Sequence, residues 1–184
     1  HEAGAANMAE AYGKLTGKPG VAFVTRGPGA CHASVGVHIA YQDSTPMILF
    51  IGQVSTEAIG REAFQEIDYK QMFGSITKWV TEIDRVERIP EIVSRAFKLA
   101  KAGRPGPVVV SLPENILSEK TSAKTLPFFA AEASTVQCDS ISKLKEILAS
   151  SEKPLILLGG GSWSDQSVKS ICNFGEINNL PITT

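Results

Sequence analysis

The chain has 184 residues, with 18 Lys and Arg against 19 Asp and Glu and a formal net charge of −1. Hydrophobic residues make up 43% and charged residues 20%, which is typical of a soluble globular protein and unlike a disordered, collagenous or disulfide-rich chain. Nucleic acids and anionic membranes are bound by concentrations of Lys and Arg, so this near-neutral charge argues against both as partners.

Amphipathic stretches alternate with short apolar runs along the chain, which is the pattern of helices and buried parallel strands. The first face expected to be buried lies on a helix over 2–16 and consists of Ala5, Met8, Ala9, Tyr12 and Leu15. The following elements are a strand over 21–24, a helix over 30–41, a strand over 47–51, a long loop over 52–75 with a short helix near 66–73, a strand over 76–80, a helix over 89–100 and a strand over 108–110.

A second group of elements follows a stretch without helical or strand period. It comprises a helix over 141–148, a strand over 155–158 and a helix over 165–177. We therefore predict an α/β fold with a doubly wound, mostly parallel sheet, a first domain over 1–115, a linker over 116–136 and a second domain over 137–184. Because residue 1 opens directly on a helix, we expect the first domain to lack its first strand. The second group of elements is cut off at Thr184, so we expect the second domain to be truncated.

Glu2 is the first candidate for chemistry. It shares a helical stripe with Ala5 and Ala9, so its carboxylate is placed on the face expected to be buried. It either caps the helix, where the dipole favours a negative charge, or, if buried, has a raised pKa that allows proton exchange near neutral pH. Both interpretations are open from the residues alone.

Two glycine-rich turns each follow a predicted strand and precede a helix. Gly27-Pro28-Gly29 allows close backbone approach to a ligand, but the same residues are common in turns for conformational reasons alone. Gly159-Gly160-Gly161 resembles a nucleotide-binding turn, except that Ser164 stands where a dinucleotide motif has its third glycine. A tight βα turn is the alternative there.

Other candidates are weaker. The helix that begins at Glu2 lacks the second histidine of a zinc helix, and adjacent helical residues such as Cys31 and His32 do not face each other, so we predict neither a metal site nor a Cys-His pair. The three cysteines have no metal-site spacing, which indicates reduced thiols and a cytoplasmic location. No apolar run approaches the roughly 18 residues of a membrane helix.

Six motifs occur in an order that identifies a family. They are His1-Glu2, Gly27-Pro28-Gly29-Ala30, Tyr41-Gln42-Asp43-Ser44-Thr45-Pro46, Gly52-Gln53-Val54, Ala63-Phe64-Gln65-Glu66 and Gly103-Arg104-Pro105-Gly106-Pro107. Over residues 1–115 the chain resembles the pyrimidine-binding domain of thiamine-diphosphate enzymes, in the branch of acetolactate synthase and pyruvate oxidase. Residues 153–161 resemble the start of that family's central domain, which holds FAD in some members.

The resemblance implies a role for each matching residue. Glu2 would hydrogen-bond the N1' atom of the cofactor's aminopyrimidine ring, which favours the tautomer that removes the thiazolium C2 proton; the resulting ylid attacks a 2-oxo acid. Pro28 and Gly29 would lie beside the aminopyrimidine and Gln53 would support it. Phe64 and Gln65 would lie in the loop that faces the reacting carbon. Arg104 would contact a flavin, or it is an arginine at the carboxyl end of a helix without a role in binding.

The same resemblance implies partners and cofactors. Thiamine diphosphate is expected, with Mg²⁺ held by a Gly-Asp-Gly domain that this chain does not contain, and with FAD as a further candidate. A homodimer or homotetramer is implied, because the site lies between subunits. The alternatives are a flavin- or nucleotide-binding carrier and a noncatalytic paralogue.

Two segments depart from the family pattern. Pro113-Glu114-Asn115 stands where acetolactate synthases usually have Pro-Lys-Asp, which inverts a charge, and Cys31-His32 replaces the usual Thr-Asn. We expect the second change to alter hydrogen bonds near the cofactor.

Overall fold

A computed structural model describes residues 1–127, 135–161 and 163–184. The chain forms two compact units, His1–Glu132 and Ala133–Thr184. The domain boundaries inferred from the sequence, at residues 115 and 136, stay a prediction.

The first unit is built on a four-stranded sheet with every pairing parallel. Its elements are α1 (Glu2–Thr16), β1 (Gly20–Val24), α2 (Pro28–Gln42), β2 (Met47–Gln53), α3 (Tyr69–Phe73), β3 (Trp79–Glu82), a 3₁₀ turn (Val86–Arg88), α4 (Ile89–Lys101), β4 (Pro107–Pro113) and α5 (Glu114–Ser118). The strand order is β1-β2-β4-β3, with Gly20 opposite Met47 and Trp79 opposite Val108. The predicted α/β class with a mostly parallel sheet is confirmed.

The sheet has a hydrophobic core on each face because side chains alternate along its central strands. Met47, Leu49 and Ile51 of β2 pack with α1, α2 and α3 on one face. Ile48 and Phe50 point to the other face, where they pack with α4. Helices on both faces of a parallel sheet are the doubly wound arrangement.

The predicted buried face of α1 is wrong for Met8, Tyr12 and Leu15 and right for Ala9, and the helix has the predicted bounds. Met8 and Leu15 are 70% and 87% exposed, and the buried residues are Ala6, Ala9, Glu10 and Gly13. Small residues face inward because the backbones approach closely: a Cβ added at Gly20 would lie 1.8 Å from the carbonyl oxygen of Ala9. No large side chain fits in that space.

Several boundaries differ from the sequence prediction. α2 begins two residues earlier, at Pro28, and β2 continues through Gln53. β3 lies at Trp79–Glu82 instead of 76–80, because its register is set by pairing with β4. α5 was missed, since three of its five residues fall in the stretch that we expected to be a linker.

The second unit contains α6 (Cys138–Ser150), β5 (Ile156–Leu157), α7 (Asp165–Ile177) and β6 (Ile182–Thr183), and its two strands pair in parallel. Ser164 caps α7 by accepting a hydrogen bond from the Ser167 backbone N–H at 3.1 Å. Ser164, which stands where a dinucleotide motif has its third glycine, is therefore the N-cap of this helix, a position where serine is common. None of the helices in the described part of the chain is long and apolar enough to cross a bilayer.

Candidate active site

One edge of the first unit gathers the chemistry predicted from the sequence. The four strands run in the same direction, so their carboxyl ends and the turn from β1 into α2 lie at the same edge. The amino end of α1 reaches it too, because a Cβ added at Gly29 would lie 3.6 Å from Cγ of Glu2. Open parallel sheets bind ligands at this edge.

The Glu2 side chain is 34% exposed and its Oε2 lies 3.0 Å from Nδ1 of His32. A hydrogen bond from its own backbone N–H, followed by that from His32, lowers the pKa of Glu2 below its ordinary value. The sequence had suggested a raised pKa if the carboxyl were buried. Burial is incomplete, so hydrogen bonding outweighs desolvation and the group is ionised at neutral pH.

The β1–α2 turn is closely packed beside that carboxylate. Gly27 has a φ of 48°, and a Cβ there would lie 2.8 Å from the Gln65 carbonyl oxygen. A Cβ at Gly29 would lie 2.8 Å from Cγ2 of Thr25. Pro28 fits the first turn of a helix, where its missing N–H leaves no broken hydrogen bond. Both glycines are therefore required by close packing.

A loop from β2 to α3 lies against this turn and carries Phe64 and Gln65. Gln65 has a φ of 66°, a left-handed conformation that is strained for a residue with a side chain, and Phe64 is 78% exposed. The Glu66 carboxylate accepts hydrogen bonds from the backbone N–H groups of Gly60 and Ala63, and these lower its pKa. The loop is thus held by its own acidic residue, with Phe64 left free for contact.

Gln53 is buried and bonded entirely to the main chain. Its Nε2 donates to the Ile67 carbonyl at 2.9 Å and its Oε1 accepts from the Val54 N–H at 3.0 Å. These two hydrogen bonds fix both ends of the loop that carries Phe64 and Gln65. It also lines a cavity of about 350 Å³, together with Tyr69, Glu82 and Ser111 among others.

Tyr69 was not identified from the sequence, although it links two of the motifs. Its buried hydroxyl accepts a hydrogen bond from the Gly27 N–H and donates one to the Gly52 carbonyl, each at 3.0 Å. Burial raises the pKa of Tyr69. The contact joins residues separated by 42 positions, and no local sequence pattern marks it.

Glu114 has a partner that the sequence did not reveal. Its Oε2 accepts a hydrogen bond from Nη1 of Arg26 at 3.1 Å, across 88 positions of the chain. Arg26 directly precedes Gly27, so the inverted charge at Glu114 is paired with a cation of the β1–α2 turn.

The structure does not place Arg104 beside the β1–α2 turn and Glu2. Its Nε donates to Oγ of Ser44, and its Nη2 donates to the carbonyls of Tyr41 and Gln42. These residues lie at the carboxyl end of α2, and 15 helical residues at 1.5 Å each place that end about 22 Å from Pro28. The contacts are those of an arginine capping a helix, one of the two interpretations open from the sequence.

Comparison with known proteins defines the class first. Residues 1–72 match the family described as thiamine pyrophosphate enzyme, N-terminal TPP binding domain. This match contains the turn, the Glu2 carboxylate and the Phe64-Gln65 loop, so the edge described above lies in the part of the chain that is similar to this family.

The whole chain has more specific relatives. It is 40% identical over 190 residues to the acetolactate synthase large subunit of Buchnera aphidicola subsp. Schizaphis graminum and 38% identical over 189 residues to that of Lactococcus lactis, covering all of this chain and 33% of each relative. It is 41% identical to the mitochondrial acetolactate synthase catalytic subunit of Saccharomyces cerevisiae, covering 28% of it. The chain is therefore similar to acetolactate synthases, the branch of the thiamine-diphosphate enzymes that its motifs resemble, and it spans about a third of the length of these proteins.

Proposed function

We propose that the intact protein is a thiamine-diphosphate-dependent decarboxylase or carboligase of 2-oxo acids, similar to acetolactate synthase. The observation that carries the proposal is the ionised Glu2 carboxylate held beside the closely packed Gly27–Gly29 turn. Relatives named as acetolactate synthases over the whole chain support the same activity.

The residues of this edge fit an aminopyrimidine ring. The Glu2 side chain is partly exposed beside the turn, and its carboxylate can accept a further hydrogen bond, since it has about four lone-pair positions. A flat heterocycle that carries a proton on a ring nitrogen needs an acceptor of this kind. Pro28, Gly29 and Glu2 would hold the ring.

Thiamine diphosphate supplies an acidic carbon and an electron sink for 2-oxo acid chemistry when it is bound. With the cofactor bound, Glu2 would share a proton with the ring nitrogen, and its lowered pKa would favour the proton's place on the ring. Tyr69 and Gln53 keep the turn and the loop in place through main-chain hydrogen bonds. Phe64, exposed on that loop, would face the reacting carbon.

Gln65 is proposed to contact the reacting substrate. Its left-handed backbone places it directly against Gly27, on the loop beside the turn. We expect Gln65→Ala to change kcat or product partitioning with little change in melting temperature. A large fall in melting temperature with unaltered kinetics would contradict this role.

Several further parts of the proposal rest on the family resemblance. These are Mg²⁺, a homodimer or homotetramer, and FAD; the contacts of Arg104 at the end of α2 add no support for the flavin. A cytoplasmic location is supported by the three cysteines, all free and exposed, since thiols persist in a reducing compartment.

The decisive experiment compares Glu2→Gln with wild type in the full-length protein, given thiamine diphosphate, Mg²⁺ and a panel of 2-oxo acids. General acid–base catalysis contributes about 10²- to 10⁴-fold, so we expect kcat to fall by at least about 100-fold. Glu87→Gln is the matched control, because Glu87 is exposed in the 3₁₀ turn. Equal rates in Glu2→Gln and wild type would refute the role. Tight flavin binding without any need for thiamine diphosphate would favour a carrier.

A further inference from the structure

His32 makes a direct contact with the proposed catalytic carboxylate. It lies in the first turns of α2, and its Nδ1 is 3.0 Å from Oε2 of Glu2. The His1 and His32 rings lie 4.7 Å apart, centroid to centroid. From the sequence, His32 was expected to form no pair with Cys31 and to alter hydrogen bonds near the cofactor, and its partner was not identified.

The direction of this hydrogen bond follows from charge. Glu2 is ionised at neutral pH and a carboxylate only accepts hydrogen bonds, so the hydrogen lies on Nδ1 of His32. A neutral imidazole in that form holds one carboxylate oxygen by a hydrogen bond and adds no net charge. A protonated imidazole keeps the same hydrogen bond and adds a full positive charge beside the carboxylate.

We propose that His32 is a positioning residue that orients the Glu2 carboxylate and makes its proton exchange depend on pH. The inference rests on the proposed function and deepens it by naming a regulator of the same site. With His32 neutral, the carboxylate is oriented and still able to share a proton with the ring nitrogen. With His32 charged, its positive charge disfavours a proton on the neighbouring ring nitrogen. Both the affinity for thiamine diphosphate and kcat then decline.

The groups that face this pair are few in the part of the chain that the structure describes. Among them is the His1 imidazole, at the N-cap of α1, whose ring lies 4.7 Å from that of His32.

The test uses the full-length protein with His32→Asn, which keeps a neutral donor, and His32→Ala, which removes it. His38→Ala is the matched control, since His38 is an exposed histidine of the same helix. The readouts are thiamine diphosphate affinity by calorimetry and kcat, both measured from about pH 5.5 to about pH 8.

For wild type and His38→Ala we expect the affinity to fall about three- to tenfold as the pH falls through this range, because a like charge disfavours a second proton nearby. His32→Asn is expected to keep near-wild-type kcat at the alkaline end while losing the fall in affinity. His32→Ala is expected to lose kcat about 10- to 100-fold at every pH, as when partners that orient a functional group are removed.

Two results would overturn the inference. One is a pH dependence of cofactor affinity in His32→Asn equal to that of wild type; the other is wild-type kcat in His32→Ala. If His32→Ala does not fold, the affinity profile of His32→Asn decides alone. Failure here with an inactive Glu2→Gln leaves the proposed function standing, whereas a fully active Glu2→Gln refutes the proposed function itself.

Discussion

Replacing Tyr69 with Phe removes one oxygen atom that ties the β1–α2 turn to the end of β2. The hydroxyl makes two buried hydrogen bonds, with the Gly27 N–H and the Gly52 carbonyl. A typical hydrogen bond contributes about 1 kcal/mol, and leaving its buried partner unsatisfied costs about 1–3 kcal/mol. We therefore expect the free energy of unfolding to fall by about 2–3 kcal/mol.

Urea unfolding followed by tryptophan fluorescence measures this loss. Trp79 lies in the first unit and Trp163 in the second, so a Trp163→Phe background makes the signal specific to the unit that contains Tyr69. At about 2–4 °C per kcal/mol for a chain of this size, the melting temperature should drop by about 4–12 °C. Thiamine diphosphate affinity of the full-length protein should weaken as well, because the turn loses its anchor.

Tyr12→Phe is the matched control, since Tyr12 is 50% exposed on α1. We expect it to change stability by less than about 0.5 kcal/mol, as surface substitutions usually do. A loss for Tyr69→Phe no greater than for Tyr12→Phe would show that water or rearranged backbone satisfies both groups, and the reasoning about this anchor would be wrong.

Two further predictions concern packing and pH. Gly36→Ala should lower the free energy of unfolding by about 1–3 kcal/mol, because the new Cβ would lie 2.7 Å from the Ala6 side chain, whereas Gly4→Ala, with nothing within 4 Å, should raise it by about 0.5–1 kcal/mol; urea titrations with the reverse order would contradict this. The lowered pKa of Glu66 means that its contribution is present above its ordinary pKa of 4.5 and is lost as the pH falls below it. Hydrogen-exchange protection of the Gly60 amide should therefore drop on acidification in wild type and show little pH dependence in Glu66→Gln.

The sequence predicted which segments form elements better than which faces they bury. The bounds of α1 were right, but Met8 and Leu15 were expected inside and lie outside. The spacing of apolar residues shows only which side chains are hydrophobic. Which face of α1 is buried depends instead on the close approach of the Ala9 and Gly20 backbones. That contact is between segments, and no helical pattern contains it.

The candidate site divides in the same way. Glu2, Gly29 and Gln65 were expected together from the order of their motifs, and the structure places them around one turn. The contacts of His32 and Tyr69 involve side chains that no motif named, with partners 30 and 42 positions away. Pairings at such distances depend on the finished packing of α1, α2 and the sheet.

The helix α2 is fastened at both ends by residues from elsewhere in the chain. Tyr69 holds the residue just before its first turn, and Arg104 binds the carbonyls of its last one. An α-helix held at both ends moves as a rigid body, so a shift of one end would tilt the whole helix. Loss of the Arg104 contacts would therefore act on the candidate site through the placement of α2, over about 22 Å and without any shared contact.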